Sequence, residues 1–396
     1  MPEAGAVLDL GVQPTLIHLP PLILRYRRGT RNLQVLSDVL GHRMTPLGNH
    51  LNLALCAAHT KFSPQKAAKK QKPSVPDPSP EIMEKGRMYG RYIDMFGLIK
   101  PVLEHGMVCD PDAADELYTS DSYPLRENRR AKIFDRLVAF APRIEELLSD
   151  VGASKIITAA LQLDKGRRGA RSTNVNGFKA SISEWRVFTP PFNKVHRHHM
   201  GFRHETCGQL LCPSSLDWSK AEIQRGLADE TIKALPEDFP RFLYHNEEVS
   251  DTDLFEGFLK GDLLVRGYLH VMRGPSVALS GGTEDLGSRK GNAALHGITT
   301  TNIRSIAYIA VLIRFTLSSQ TTLTIGGSPG KWPYGRFYRE IVDMCELMPV
   351  VQRRALLLWW DEARLHWGLL GPADEGPAGG AGIGTRLERD HKRELG

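Results

Sequence analysis

The chain has 396 residues, of which 41% are hydrophobic and 24% charged, with a formal net charge of +6. That is ordinary soluble composition, long enough to bury a core in one large domain with tails or in two or three smaller ones. Ten of the 51 Lys/Arg and four of the 45 Asp/Glu lie in residues 1–80, so the remainder carries 41 of each sign and a basic nucleic-acid face is excluded as a property of the whole folded part.

Residues 1–62 mix short apolar runs with turn residues, and only 32–40 place Leu33, Leu36 and Leu40 at helical spacing. We expect a poorly ordered leader there. The first residues carry Glu3 and Asp9, and the apolar LIHLPPLIL is broken by Pro20 and Pro21, so neither a signal peptide nor a membrane anchor is indicated. Segment 63–80 combines Lys66, Lys69, Lys70 and Lys72 with five prolines, the composition of a solvated, basic linker. The lysines suit a nuclear-localisation or nucleic-acid-contacting patch, or simply a solvated linker.

Order is expected from 81 to 368. Residues 88–103 predict a helix with Pro101 as its stop or kink, and 110–121 an acidic loop without the glycine and terminal glutamate of a calcium hand. Helices follow at 129–140, 142–148 and 155–162. The last of these runs into Lys165, Arg167, Arg168 and Arg171, read as a basic helix end, with a separate helix at 178–188. Segment 196–218 is loop-rich with a small ribbon expected at 207–212; Asp217 is placed to cap a helix at 219–228. A helical segment reaches residue 272, a glycine-rich loop spans 274–291, and helices are expected at 336–348 and 350–367. A flexible tail occupies 369–396.

The most apolar stretch is a central, buried helix near 302–319, with Thr300 or Thr301 as its N-cap and Arg304 and Arg314 bracketing the apolar run. The fold class is therefore mostly α: a single irregular multi-helix domain with long loops around that helix, behind a poorly ordered leader.

Two sets of residues carry candidate chemistry. His196, His198, His199, His204, Cys207 and Cys212 supply the N and S ligands of a structural zinc module around 196–212, with His204, Cys207 and Cys212 as the candidate metal ligands, although the spacing matches no standard zinc motif. Asn292, His296, Arg304 and Arg314 combine an amide, an imidazole and two guanidiniums able to hold a phosphate or carboxylate. A hydrolase of phosphates or esters would use His296 as acid/base and Arg314 to stabilise the anion, with Asn292 beside them. The plainer alternative is structural, with Arg314 reaching a buried acidic partner. The segment 326–331 (GGSPGK) fails as a phosphate loop because Pro333 follows instead of a helix. No nucleophile elbow, Walker loop, dinucleotide fingerprint or zinc-protease motif is present, and no cofactor is implied. Five cysteines, at 56, 109, 207, 212 and 345, are odd in number and mostly scattered, so a disulfide framework is not expected and a reducing, intracellular location, cytoplasmic or nuclear, is.

The segments GFRHETCGQLLCPSSLDW, GNAALHGITTTNIRSIAYIAVLIRFTLSS, RFYREIVDMCELM and LLLWWDE, with the upstream GRYIDMFGLIKPVLEHG and DKGRRGARS, resemble a domain of unknown function expanded in mushroom-forming basidiomycete fungi. The resemblance spans about residues 85–367 and implies a helical fold behind a variable basic leader. Its pattern includes Arg171, His204, Cys212, Pro213, Asp217, Trp218, Asn292, His296, Tyr308 and Arg314, but not His196, His198, His199 or Cys207. Arg304, Arg171, His204, Asp217 and Trp218 are accordingly candidate binding residues. The leading functional expectation is a non-enzymatic interaction domain whose partner is nucleic acid, through the basic leader, or another protein, with no membrane partner.

Overall fold

The computed structural model describes residues 80–108, 125–142, 144, 153–280, 290–325 and 330–370. The predicted leader, the linker up to residue 79, the acidic loop 110–121, nearly all of 142–148 and the tail beyond 370 fall outside these residues. The described part is helical, as expected, with no strand beyond two isolated bridges, Pro213 to Pro240 and Tyr244 to Phe258. Among the described residues no helix is long and apolar enough to cross a membrane.

Helix α1 (Pro80–Met88) starts with proline in its first turn, where a missing N–H costs nothing, and runs into a π-helical turn, Tyr89–Ile93. Asp94 then leaves the helix in an extended conformation, and its carboxylate accepts from the N–H groups of Phe96 (3.1 Å) and Gly97 (3.2 Å). The chain re-enters a helix as α2 (Ile99–Val108). The predicted single helix 88–103 is thus two helices. The break sits at Asp94, because its side chain satisfies the freed backbone donors, while Pro101 lies in the first turn of α2 and is tolerated there.

Helix α3 (Leu125–Phe140) precedes α4 (Ala153–Trp185), whose 33 residues make it about 50 Å long at 1.5 Å per residue. Two predicted helices and the basic segment between them are therefore one element. Glycines permit close approach here: a Cβ at Gly86 of α1 would fall 2.7 Å from the Cα of Leu163, and one at Gly166 of α4 would fall 3.0 Å from the backbone N of Arg87. The two backbones touch through this pair of glycines.

The short helices α5 (Glu205–Leu211) and α6 (Ala221–Ala228) follow, with α7 (Asp262–Met272), α8 (Pro275–Leu279) and α9 (Asn292–Leu295). The expected ribbon at 207–212 is instead part of α5, about two helical turns with Leu210 and Leu211 facing inward. Asp217 does not cap α6. It closes a turn by accepting from the Ser219 N–H (3.0 Å) and hydroxyl (2.7 Å), and Lys220 precedes α6 without a side-chain cap.

The central helix is α10 (Ile303–Leu317), and every residue from Ser305 to Leu317 is buried. Burying each of its Ile and Leu side chains contributes about 1.5–3 kcal/mol. The cap is Asn302, one residue beyond the expected threonines: its Oδ1 accepts from the Ser305 N–H (2.8 Å) while the Ser305 hydroxyl faces the Asn302 N–H (3.3 Å). Thr301 is diverted because its own N–H donates to Asp361 Oδ1 (2.6 Å). Around α10 pack the second half of α4 (Phe178, Ile182), α7 and α11 (Tyr334–Leu347), and α12 (Val350–Leu370) packs on α7 in the same core. A second core joins α1, α2, α3 and the first half of α4 through Tyr89, Leu103, Phe134, Leu137 and Leu163.

Candidate functional site

The anion-binding candidates are distributed along α10. Arg304 lies in its first turn and Arg314 in its last, about 15 Å apart by helical rise. Asn292 starts α9 and donates its amide to the carbonyl of Val271, so it holds α9 to the end of α7. His296, at the end of α9, places Nε2 3.5 Å from Glu84 Oε1 of α1, and its ring lies 5.9 Å from that of Phe140. Burial lowers its pKa, with Glu84 pulling the other way. Tyr92 ties the same end of α10 by donating to the Thr300 carbonyl at 3.2 Å.

Arg304 faces Tyr338 and Asp94. Burial works against its charge, but those two neighbours outweigh it and its pKa is raised. Arg314 has a different setting: it is 6% exposed, lies 3.6 Å from the centroid of the Trp332 ring, and makes no ion pair or side-chain hydrogen bond with another described residue. Desolvation lowers its pKa to about 10, offset in part by Tyr334 and Asp238. The buried acidic partner expected from the sequence is thus an aromatic face, with Asp238 as a more distant carboxylate. A weakly hydrated, planar guanidinium suits that position, where an ammonium would not. His296 and Arg314 therefore stand at opposite ends of α10, while Arg304 faces Tyr338 and Asp94 and the Asn292 amide is spent on the Val271 carbonyl.

The His/Cys segment is built for structure. His204 is the N-cap of α5 and its Nδ1 accepts from the Cys207 N–H at 3.3 Å. Its ring packs edge-on against Phe188, and burial lowers its pKa. Cys207 is fully buried with its thiol pushed up to about 12 by desolvation, and Cys212 donates to the Leu216 carbonyl (3.7 Å) with its thiol pushed up to about 11. His196, His198 and His199 lie on the exposed side of a 3₁₀ turn, the last two with ring centroids 3.8 Å apart. Among the described residues no group of three or more His, Cys, Asp or Glu is placed to hold a metal ion. Trp218 packs its ring over Gly208 of α5, and its carbonyl accepts from Gln224 (2.7 Å). Asp217 is exposed, and the Ser219 hydrogen bonds lower its pKa.

The basic run on α4 is mid-helix. Arg167 donates to the Gly97 carbonyl (2.6 Å) and to Asp164, which fixes the Asp94 corner to α4. Arg171 lies over Phe96 at 5.5 Å; burial and then Arg167 lower its pKa. Two arginines that sequence reasoning missed complete the picture. Arg91 donates to Asn174 Oδ1 (3.2 Å), whose amide donates to the Tyr308 hydroxyl (2.9 Å), a buried chain from the π-turn through α4 to α10. Arg197 donates to the carbonyls of Phe315, Thr316 and Ser318 and so closes the C-terminus of α10. No spacing rule joins residues 83, 134 or 118 positions apart; only Tyr308, through the resemblance, had been marked.

Compared with known proteins, residues 165–363 match a model described as a family of unknown function (DUF6698). That span holds the second half of α4, the His/Cys segment, α10, α11 and most of α12. No curated protein and no solved structure matches.

Proposed function

Because the chain belongs to DUF6698, a family of unknown function, we propose from its own geometry that it is a non-enzymatic, intracellular interaction domain that contacts nucleic acid through its basic leader. The observation that carries this reading is the separation of the chemically capable side chains: His296 sits against Glu84 and Phe140, and Arg314 against Trp332 at the other end of α10. A phosphate or ester hydrolase would need both to line one cleft. A structural zinc module would need four N or S ligands around one point, and His204 spends its Nδ1 on a helix cap. The charge balance adds support, since the excess positive charge lies in residues 1–80 while the rest is neutral. The fungal, basidiomycete character of the resemblance and a cytoplasmic or nuclear location belong to the same proposal.

The test is binding of the full chain to a labelled duplex across a salt series, beside a variant with Lys66, Lys69, Lys70 and Lys72 all changed to Gln. Each phosphate contact contributes about 0.9 to the log–log salt slope, so losing four contacts flattens it by about 3–4. Equal affinity and equal slope for the two proteins would refute the leader as the contact.

A further inference from the structure

Helix α12 buries one face and leaves the opposite one uncovered. Leu356, Trp360 and Ala363 point into the core, all at most 4% exposed, and Trp360 also donates its indole N–H to the Leu259 carbonyl (3.0 Å). Half a turn away, Val351 (80% exposed), Leu358 (57%) and Leu365 (50%) form a row with a repeat of seven. Seven residues are two turns, so these side chains lie on one line at about 10 Å intervals, the spacing of a helix-pairing seam. A monomer gains nothing from three large aliphatic side chains aligned in water.

The charges beside the row say what covers it. Arg354 precedes Leu358 by four residues and Glu362 follows it by four; both are exposed and neither makes an ion pair or hydrogen bond with another described residue. The pattern is symmetric about Leu358 in position and antisymmetric in charge. A second α12 laid antiparallel across the first, with a two-fold axis at Leu358, sets Leu358 against its own copy, Val351 level with Leu365 of the other copy, and Arg354 level with Glu362 of the other copy, about 6 Å to either side of the centre. Parallel pairing in register would set Arg354 against Arg354 and Glu362 against Glu362. We infer that α12 is a self-association surface that joins two copies of this chain through an antiparallel, two-fold helix pair centred on Leu358. This does not depend on nucleic-acid binding by the leader.

The experiment measures the mass of the full-length chain by light scattering or sedimentation over a micromolar dilution series. The wild type should be a concentration-dependent dimer. Leu358→Lys, which puts two ammonium groups at the centre of the pair, should weaken dimerisation roughly a hundredfold with an unchanged helical circular-dichroism spectrum. Arg354→Glu and Glu362→Arg should each weaken it roughly tenfold, since each converts two attractions to two repulsions. The double variant Arg354→Glu/Glu362→Arg should recover wild-type association. A monomeric wild type throughout, a dimer indifferent to Leu358→Lys, or a double variant no better than the single ones would each overturn the inference. The first of these would mean that another segment of the chain, or a different partner, covers the stripe.

Discussion

His270 offers the sharpest test of how the core is held. Its ring, on α7, stands edge-to-face between Phe178 (5.5 Å) and Trp185 (5.3 Å) of α4, and its Nδ1 has no hydrogen-bond partner. Gly177 closes the other side, where a Cβ would be 2.7 Å from Nε2. With apolar rings on two sides, burial holds the imidazole neutral and depresses its pKa from 6.5 to about 4. The folded protein therefore resists a proton that the unfolded chain accepts. Between about pH 6.5 and pH 4 the unfolded state binds more protons, so stability falls as the pH falls through that window and is fully present above it. The size follows from the shift: about 2 kcal/mol lost from this group between pH 7 and pH 5, rising to about 3 kcal/mol at pH 4. Urea melts of the wild type and of His270→Met at a series of pH values isolate the effect, since all other titrating groups are shared. The wild type should lose about 2 kcal/mol more than the variant on going from pH 7 to pH 5. Parallel stability curves for the two proteins would refute the neutral, buried imidazole.

Four further outcomes follow from the packing. Gly86→Ala improves intrinsic helix propensity by about 1 kcal/mol, yet should destabilise the protein by about 2 kcal/mol or more in thermal melts, because its Cβ meets the Leu163 backbone rather than a movable side chain. Asn302→Ala removes the side-chain half of the α10 capping box and should cost about 1–2 kcal/mol in urea melts, with Asn302→Asp or Asn302→Ser retaining most of it. Cys207, Cys345 and Cys212 are buried, with thiols pushed up to about 12, 12 and 11 by desolvation; peptide mapping after iodoacetamide at neutral pH should find these three unlabelled in the folded protein and labelled in urea. Arg314→Met removes a buried charge that no described carboxylate neutralises within ion-pair distance and keeps most of the volume over Trp332, so it should change stability by less than about 1 kcal/mol, whereas Arg314→Ala leaves a cavity and should cost about 2 kcal/mol or more.

The parts of the fold that were legible are those specified by a local pattern. The uncharged run from Ser305 to Ile313 allows no solvent face, and the helix built from it is central for that reason. The amphipathic 336–348 and 350–367 emerge as α11 and α12 within a few residues of the expected ends. Interpretation failed where one residue type serves two purposes. The basic helix end expected at 165–171 is instead the middle of α4, where Gly166 and Gly177 are contact points with α1 and with His270, and nothing in their own neighbourhood says so. Asp94 breaks a helix without a proline in the break, by accepting hydrogen bonds from the N–H groups of Phe96 and Gly97 that follow it. The candidate site shows the same limit more strongly. Asn292, His296, Arg304 and Arg314 are close in sequence, but α10 is long enough to carry them to two ends of the core, while Arg91, Asn174 and Tyr308 are far apart in sequence and meet.

The arginines show why residue type alone pointed toward an anion site. Outside the leader the chain has as many acidic as basic side chains, so simple pairing would leave no buried guanidinium without a carboxylate. The structure instead uses aromatic rings and backbone carbonyls as the counterweight. Arg314 lies on Trp332, Arg171 on Phe96, and Arg197 on Phe315 while filling the carbonyls at the end of α10. Each ring or carbonyl set offers diffuse negative potential to a flat, weakly hydrated cation, and none demands the full desolvation of a carboxylate. A guanidinium placed this way fixes the ends and crossings of α4 and α10 and has spent its directional donors or its face in doing so. Such positions would tolerate lysine poorly for geometric reasons, even with the charge retained, and the same residues that look like ligands for a phosphate are, in this core, the joints between helices.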